Sequence, residues 1–329
     1  MKQLGVWKLP TCSIRRIRFN RESGHFLALL DGGRREQSIA AFGSDRNNLN
    51  HTSIFGSNER VNDFCLSSQN SQLMTQSGDE FLFLDSKGQT IRRLNTSSIA
   101  NEVHWGTDNL ILATFPLSYP PAQLFHPDSS DAVDISPPLN LVSQHVPRAA
   151  ISNDGNTIVF SHSFEKFHLL DRSQSTWISC PLSTCQNAKN DNFGFVAESD
   201  WFIRRFWFSR DDARIAIASY PRNKEQIPEM GLVFWDRSHN SLFGIPLDST
   251  MKAIDLSSDF KLIAATYRHD PTSVGIWNAA NGDLLTLYKT TSLISDLLFS
   301  EDRSKLAVGG QGVFEVVDTS SLTPLTDQT

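Results

Sequence analysis

The sequence has few cysteines, which excludes a fold held together by disulfide bonds. Only four occur in 329 residues, at Cys12, Cys65, Cys180 and Cys185. Four scattered cysteines cannot form the dense disulfide framework of a small secreted domain. Cys180 and Cys185 are a close pair, but no second Cys/His pair lies near them in the sequence, so no zinc site is expected. Reduced thiols are typical of cytoplasmic proteins, and this is the location we expect.

Long apolar runs are also missing. The longest have the length of a strand, so no membrane-spanning segment is predicted. The segment from Met1 to Pro10 has no apolar core of signal-peptide length. No stretch repeats apolar residues at helical spacing, whereas phenylalanine is abundant, with 22 residues, which favours strands.

Neither charge nor motifs indicate an enzyme or a general nucleic-acid binder. The chain has 30 Lys and Arg against 36 Asp and Glu, a net charge of −6, which disfavours binding to polyanions. It contains no Gly-x-Ser-x-Gly elbow, no His-Glu-x-x-His pair and no phosphate-binding glycine loop. We therefore expect no catalytic residues, no cofactor and no metal site.

What the sequence does contain is a short motif that recurs along the whole chain. An apolar residue is followed by two variable residues, a second apolar residue, one variable residue and a third apolar residue. Successive copies begin between 39 and 57 residues apart, which predicts one repeated structural unit. The seven copies are Ile14–Asn20, Val61–Ser67, Ala100–Gly106, Val146–Ser152, Ile203–Ser209, Met251–Ser257 and Ile294–Ser300.

Each copy is followed by a turn and by further short apolar runs. After Ser209, for example, the turn formers Arg210 to Asp212 precede the apolar runs Ile215–Ala218 and Gly231–Asp236. Four short strands per unit predict an antiparallel sheet that cannot bury its own faces, so the sheets must pack face to face in a ring. The pattern therefore predicts an all-β fold, a seven-bladed β-propeller with four-stranded antiparallel blades, as a single domain over residues 1–329.

The ends of the third strands resemble the WD40 repeat. The resemblance covers essentially the whole chain, although the Gly-His dipeptide that precedes the first strand in that family is missing. It implies a propeller that binds other proteins and has no enzymatic activity; a count of six or eight blades would require copies to be merged or split. The dipeptides that carry it are Trp235-Asp236 and Trp277-Asn278, with weaker forms at Leu84-Asp85, Leu170-Asp171, Val317-Asp318 and Phe125-His126.

The first residues predict a strand without a blade of its own. Gly5–Leu9 precedes the first copy of the motif at nearly the same distance as Phe243–Leu247 precedes the sixth. By the resemblance, such an N-terminal strand completes the last blade and removes a free sheet edge. The alternative is that Leu322–Leu325 supplies the last strand and Trp7 is an extra cap. Pro324, which cannot donate a ladder hydrogen bond, favours the N-terminal strand.

Two insertions interrupt the regular spacing, at 183–200 and at 220–230. By the resemblance, both open on the top face, the face that carries the connections from the fourth strand of one blade to the first strand of the next. Long irregular loops on a rigid scaffold either bind partners or are plain surface excursions, and the sequence leaves both alternatives open.

The two variable positions of the motif supply the candidate binding residues, because in WD40-like rings they lie near the top rim of the central channel. Basic residues predominate there in four of the copies, and acidic residues occupy it in the other three. Trp201 lies nearby as an aromatic anchor. The candidates are Arg15, Arg16, Asp63, Glu102, Arg148, Arg204, Arg205, Lys252 and Asp296.

A basic arc in an acidic protein predicts an acidic or phosphorylated segment of another protein as the partner, as in a scaffold or adaptor subunit of a larger complex. The alternative for the rim is that its charges pair with one another. Two other functions stay open. One is a propeller hydrolase or lyase with a divalent cation held by Asp63, Glu102, Asn62 and Asn101, and the other is nucleic-acid binding through the basic arc.

Overall fold

The structure is a computed structural model. It describes residues 1–21, 23–32, 37–43, 51–57, 61–67, 72–85, 88–96, 98–106, 109–116, 120–129, 131–136, 147–161, 166–181, 186–187, 201–221, 230–237, 241–247, 249–267 and 269–322. All regular elements in these ranges are strands, as the sequence predicts. The described ranges contain no helix long and apolar enough to cross a membrane.

All but three of the strands contain between four and eight residues. In chain order they are β1 (Lys2–Asn20), β2 (His25–Asp31), β3 (Gln37–Phe42), β4 (His51–Ser57), β5 (Val61–Leu66), β6 (Leu73–Ser77), β7 (Glu80–Leu84), β8 (Thr90–Asn95), β9 (Glu102–Trp105), β10 (Ile111–Thr114), β11 (Ala122–Phe125), β12 (Ala132–Ile135), β13 (Arg148–Ile151), β14 (Thr157–Ser161), β15 (Lys166–Asp171), β16 (Thr176–Pro181), β17 (Gln186–Asn187), β18 (Trp201–Phe208), β19 (Arg214–Pro221), β20 (Met230–Asp236), β21 (Ser241–Leu247), β22 (Ser249–Leu256), β23 (Leu262–Tyr267), β24 (Ser273–Asn278), β25 (Leu284–Lys289), β26 (Ile294–Phe299) and β27 (Lys305–Asp318).

Four of the sheets contain four antiparallel strands each: β5 to β8, β9 to β12, β13 to β16 and β22 to β25. A fifth sheet runs from β18 to β21 and gains the two-residue strand β17, which pairs in parallel with β21. In every one of these sheets the strand that carries the repeated motif is the innermost one. The local alternation of apolar and variable residues therefore locates the inner strands correctly.

The sixth sheet differs from the prediction of seven separate blades. It has six strands in the order β26-β27-β1-β2-β3-β4 and contains two copies of the motif, one in β1 and one in β26. The predicted count of seven was therefore wrong for the sheets, of which the described residues form six. Two units merge because β1 pairs with Val313–Asp318 of β27 through Lys2–Lys8 and with β2 through Ser13–Asn20.

The sheets are arranged face to face around a channel. The inner strands contact one another in chain order, β1 with β5, β5 with β9, β9 with β13, β13 with β18 and β22 with β26, and β26 contacts β1. Between β18 and β22, the Nη1 of Arg205 donates to the carbonyl of Ile254 at 3.2 Å. All inner strands run in the same direction around the ring, so the starts of the motif copies lie at one end of the channel.

The core lies between the sheets, and this explains the apolar runs. Strands β6, β10 and β14 are buried along their whole length, whereas the outermost strands β12 and β25 are largely exposed. Phe81 of β7 shares an apolar cluster with Ile111 of β10, and Leu112 of β10 shares the next with Phe160 of β14. Each sheet buries both faces only because its two neighbours cover them.

The predicted insertions lie mostly outside the described residues. Of 183–200, only the two residues of β17 are described, and of 220–230 only the end of β19 and the start of β20. In the alternative closing segment, Leu322 packs on an apolar cluster with Ile294 and Phe299. The remainder, 323–325, also lies outside the described residues.

Candidate functional site

The two variable positions of the motif coincide with a bulge in the inner strand. In β1 the pairing with β2 shifts between Ile14 and Arg16, and in β18 the pairing with β19 shifts between Ile203 and Arg205. Similar shifts occur in β5, β22 and β26. A bulge adds one residue opposite the partner strand and turns side chains out of the regular alternation. The first variable residue is thereby left outside the ladder, and both Arg15 and Arg204 are exposed.

The second variable position forms a network of charges between neighbouring inner strands. Asp63 of β5 accepts from two arginines of β1, with Oδ1 at 3.3 Å from the Nε of Arg16 and 3.3 Å from the Nη2 of Arg18. It also accepts from the amides of Phe64 at 2.8 Å and of Val103, in β9, at 3.4 Å. A single carboxylate therefore joins three consecutive inner strands.

Burial and ion pairing have opposite effects on the pKa of Asp63. Burial works to raise the pKa of Asp63, but Arg16, Arg18 and the amide of Phe64 together outweigh it, so that the pKa lies below its ordinary value. The same carboxylate raises the pKa of Arg16, whereas burial lowers the pKa of Arg18. Asp63 is thus ionised at neutral pH and holds two guanidinium groups with one negative charge.

Two more ion pairs occupy corresponding positions around the ring. The Nη1 of Arg148 lies 2.8 Å from the Oε1 of Glu102 in the preceding inner strand. The guanidinium of Arg205 lies over the ring of Trp207, 5.0 Å from its centroid, and its Nη2 is 4.0 Å from the Oδ1 of Asp255 in the next inner strand. These arginines are therefore oriented by fixed partners.

In the three clusters the carboxylates are less exposed than the arginines they hold. The side chain of Asp63 is 1% exposed while that of Arg16 is 29% exposed. The corresponding values are 5% for Asp255 against 24% for Arg205, and 13% for Glu102 against 25% for Arg148. The guanidinium groups are therefore the more accessible members of the three pairs. We call Arg15, Arg16, Arg148, Arg204 and Arg205 the arginine rim.

The remaining predicted residues differ in their exposure and in their partners. Arg15, with 41% of its side chain exposed, forms an ion pair with Asp31. Asp296 is buried, and its Oδ2 accepts from the amide of Ile17 at 2.7 Å, which ties β26 to β1. For Trp201 and Lys252 the backbones lie in β18 and β22, but their side chains are outside the described part.

Sequence reasoning missed a second set of polar residues, at the single variable position between the last two apolar residues of the motif. In four of the seven copies this position holds a side chain with a polar group, and these four are Arg18, His104, Trp207 and Asp255. Asp255 accepts from the Nε1 of Trp207 at 3.0 Å and from the amide of Phe299 at 2.8 Å. The signal was available, because a charged residue between two buried apolar residues requires a partner across the ring.

The carboxylates proposed for a cation are engaged by arginines instead. Asp63 holds Arg16 and Arg18, and Glu102 holds Arg148. Across the described ranges, no group of three or more His, Cys, Asp or Glu side chains is arranged to hold a metal ion.

The architecture matches a solved structure. The β-propeller domain of Cps50 (Swd1) from Myceliophteria thermophila superimposes with a TM-score of 0.68, covering 94% of this chain and 100% of that domain. The chain has a β-propeller fold. The two sequences are only 12% identical, so this likeness establishes the fold alone. No protein-family model and no curated protein matches the chain.

Proposed function

We propose that this propeller is a non-enzymatic interaction scaffold whose arginine rim binds an acidic or phosphorylated segment of a partner protein. The observation that carries the proposal is the difference in exposure between the rim arginines and their carboxylates. Because the acids are less accessible than the arginines, a ligand at the rim would meet mainly guanidinium groups, although the protein as a whole carries a charge of −6.

The rim is suited to a short acidic segment for two reasons. Arg16, Arg148 and Arg205 are already oriented by their buried partners, so a ligand does not have to order long flexible side chains. A guanidinium also has enough N–H donors to bind a second carboxylate while it keeps its hydrogen bonds to the first. The negative charge elsewhere on the protein disfavours a long polyanion such as a nucleic acid.

We also propose that the six-stranded sheet acts as two blades that share β1 and β27, with the first part of β1 completing the last blade. Directly beyond the two ends of β27, the amide of Thr319 donates to the carbonyl of Ser304 at 2.8 Å. The matching bond in the sheet of β23 and β24 joins Ala279 to Lys261 at 2.9 Å, across a hairpin. Because the two hydrogen bonds correspond, we infer a hairpin within β27 near Gly312, whose φ is 77°. A ring joined in this way would give a scaffold rigid enough to hold the rim in place.

The rim proposal is tested by the binding of a short labelled polyglutamate peptide, followed by fluorescence anisotropy at low ionic strength. The double variant Arg15→Glu, Arg204→Glu reverses two exposed rim charges and leaves the carboxylates of Asp63, Glu102 and Asp255 with their own arginines. The control, Arg92→Glu with Arg93→Glu on the outer strand β8, makes the same change of net charge away from the channel. We expect the rim variant to bind about tenfold or more weakly, and the control to bind like the wild type.

Equal binding by the rim variant and the wild type would exclude the rim as the binding surface. A wild type that binds neither polyglutamate nor a phosphoserine peptide would remove the support for an acidic partner. Circular dichroism of each variant shows whether the fold is retained.

A further inference from the structure

A second polar site lies at the other end of the channel. A cavity of about 260 Å³ is bounded by the last residues of the inner strands β1, β5, β9 and β13 and by the turns that follow. Arg18, Asn20, Ser67, His104 and Asn153 contribute polar side chains to it. These residues follow the rim positions in their strands, so the cavity and the arginine rim open at opposite ends of the channel.

The lining of this cavity carries positive charge. It includes Arg18 and Arg21, and none of the described residues that line it is acidic. Arg21 pairs with Glu301 at 3.1 Å, but Arg18 shares Asp63 with Arg16. Two guanidinium groups therefore share one bonded carboxylate, while the buried Asp296 acts on Arg18 only through its charge.

Burial makes the positive charge of Arg18 unfavourable unless an anion pairs with it. The side chain of Arg18 is 20% exposed, and burial lowers its pKa. Among the described residues, Arg18 donates to Asp63 and, through Nη1, to the carbonyl of Ile17 at 3.1 Å, whereas a guanidinium carries five N–H donors. A partly desolvated charge of this kind is stabilised by a second anion at hydrogen-bonding distance.

His104 adds a neutral polar group to the same wall. Burial, and then the charge of Arg18, lowers the pKa of His104 to about 3, so the imidazole is uncharged at neutral pH. Its Nε2 is enclosed and has no hydrogen-bond partner among the described residues. Val103, Trp105 and Ile151 provide apolar wall around these groups, so the cavity can also contact the carbon atoms of a ligand.

We propose that this cavity is an oxyanion site, in which Arg18 binds a carboxylate or phosphate group that enters from the end of the channel opposite the arginine rim. The volume is suited to a single anionic side chain or a small free anion and not to a folded segment. The two sources share one chemistry, and the site does not depend on the partner proposed for the rim.

The test compares two arginines that share the same carboxylate. Binding of inorganic phosphate, and separately of a phosphoserine peptide and a polyglutamate peptide, is measured by isothermal titration calorimetry at low ionic strength. In Arg18→Met the cavity loses the guanidinium of Arg18 while Asp63 keeps Arg16; in Arg16→Met the cavity keeps Arg18 and Asp63 loses Arg16. We expect Arg18→Met to bind phosphate about tenfold more weakly than the wild type, and Arg16→Met to bind it about as well as the wild type.

The rim variant Arg15→Glu, Arg204→Glu separates this proposal from the previous one. It is expected to bind polyglutamate weakly and to bind phosphate like the wild type. A phosphoserine peptide that competes with phosphate and binds more tightly would identify a peptide side chain as the ligand, whereas binding of phosphate alone would identify a small free anion.

Equal phosphate affinity in Arg18→Met and the wild type would overturn the proposal, and so would a wild type that binds none of the three probes. If Arg18→Met does not fold, Arg18→Lys retains the charge and its partner but loses the forked geometry. Phosphate binding in this variant should then be severalfold weaker, and unchanged binding would be evidence against the site.

Discussion

The indole Nε1 of Trp207 donates to the Oδ1 of Asp255 at 3.0 Å, across the boundary between the inner strands β18 and β22. Asp255 is 3% exposed, and its other carboxylate oxygen accepts from the amide of Phe299 in the inner strand after that. The polar edge of Trp207 therefore holds a buried carboxylate that links three inner strands.

Replacement of Trp207 by Phe should destabilise the protein through this carboxylate. The ring is retained in part, but one oxygen of Asp255 loses its donor, and a buried acceptor that loses its hydrogen bond costs about 1–3 kcal/mol. Urea unfolding measures the change. Trp105→Phe is the matched control, because the Nε1 of Trp105 donates at 3.1 Å to the neutral, part-buried Asn109. Equal losses in the two variants would contradict the importance of the Trp207 bond.

Asp63 and Asp255 should give the protein opposite pH dependences. The folded protein lowers the pKa of Asp63, so the stability that Asp63 contributes is present above the ordinary pKa of an aspartate and is lost as the pH falls through the folded value. Burial raises the pKa of Asp255, so its contribution is present below the ordinary value and is lost as the pH rises through the folded value.

The variants Asp63→Asn and Asp255→Asn test this difference by urea unfolding between about pH 3 and pH 7. Asp63→Asn should cost about 3–5 kcal/mol at neutral pH, because it leaves two arginines without their carboxylate, and the cost should shrink in acid. For Asp255→Asn the cost should decline as the pH rises. Parallel pH profiles for the two variants would show that one of the two assignments is wrong.

Gly275 should not tolerate alanine, because a Cβ atom at this position would overlap the ring of Trp277. The ring is 2% exposed and cannot move away without opening the core, so Gly275→Ala should cost about 1–3 kcal/mol. Gly106→Ala is the control: there a Cβ would lie 3.4 Å from Ile151, which is ordinary contact. The two melting temperatures should differ clearly, and similar values would mean that Trp277 adapts.

The sequence could locate the inner strands but not the pairs between them. A repeated apolar pattern depends on local alternation, so each copy of the motif lies where it was predicted. Whether Arg16 meets Asp63 or Arg205 meets Asp255 depends on the bulges and on how adjacent sheets pack, and neither is encoded in the spacing of one repeat. For the same reason the sheet count was missed, since the pairing of β1 with β27 joins residues from the two ends of the chain.

Trp7 tests whether the first part of β1 is an integral strand of the six-stranded sheet. It is 4% exposed and packs edge-on to Phe42 and Phe314 at 5.4 and 5.7 Å, and those two rings stack at 4.1 Å. If the first part of β1 is an integral strand, Trp7→Ala should cost about 3–5 kcal/mol. Its Nε1 is buried without a partner among the described residues, so Trp7→Phe removes an unsatisfied donor and should cost much less. Urea midpoints that are unchanged in Trp7→Ala would mean that the strand contributes nothing to the sheet, and the alternative closure by residues after Leu322 would then be favoured.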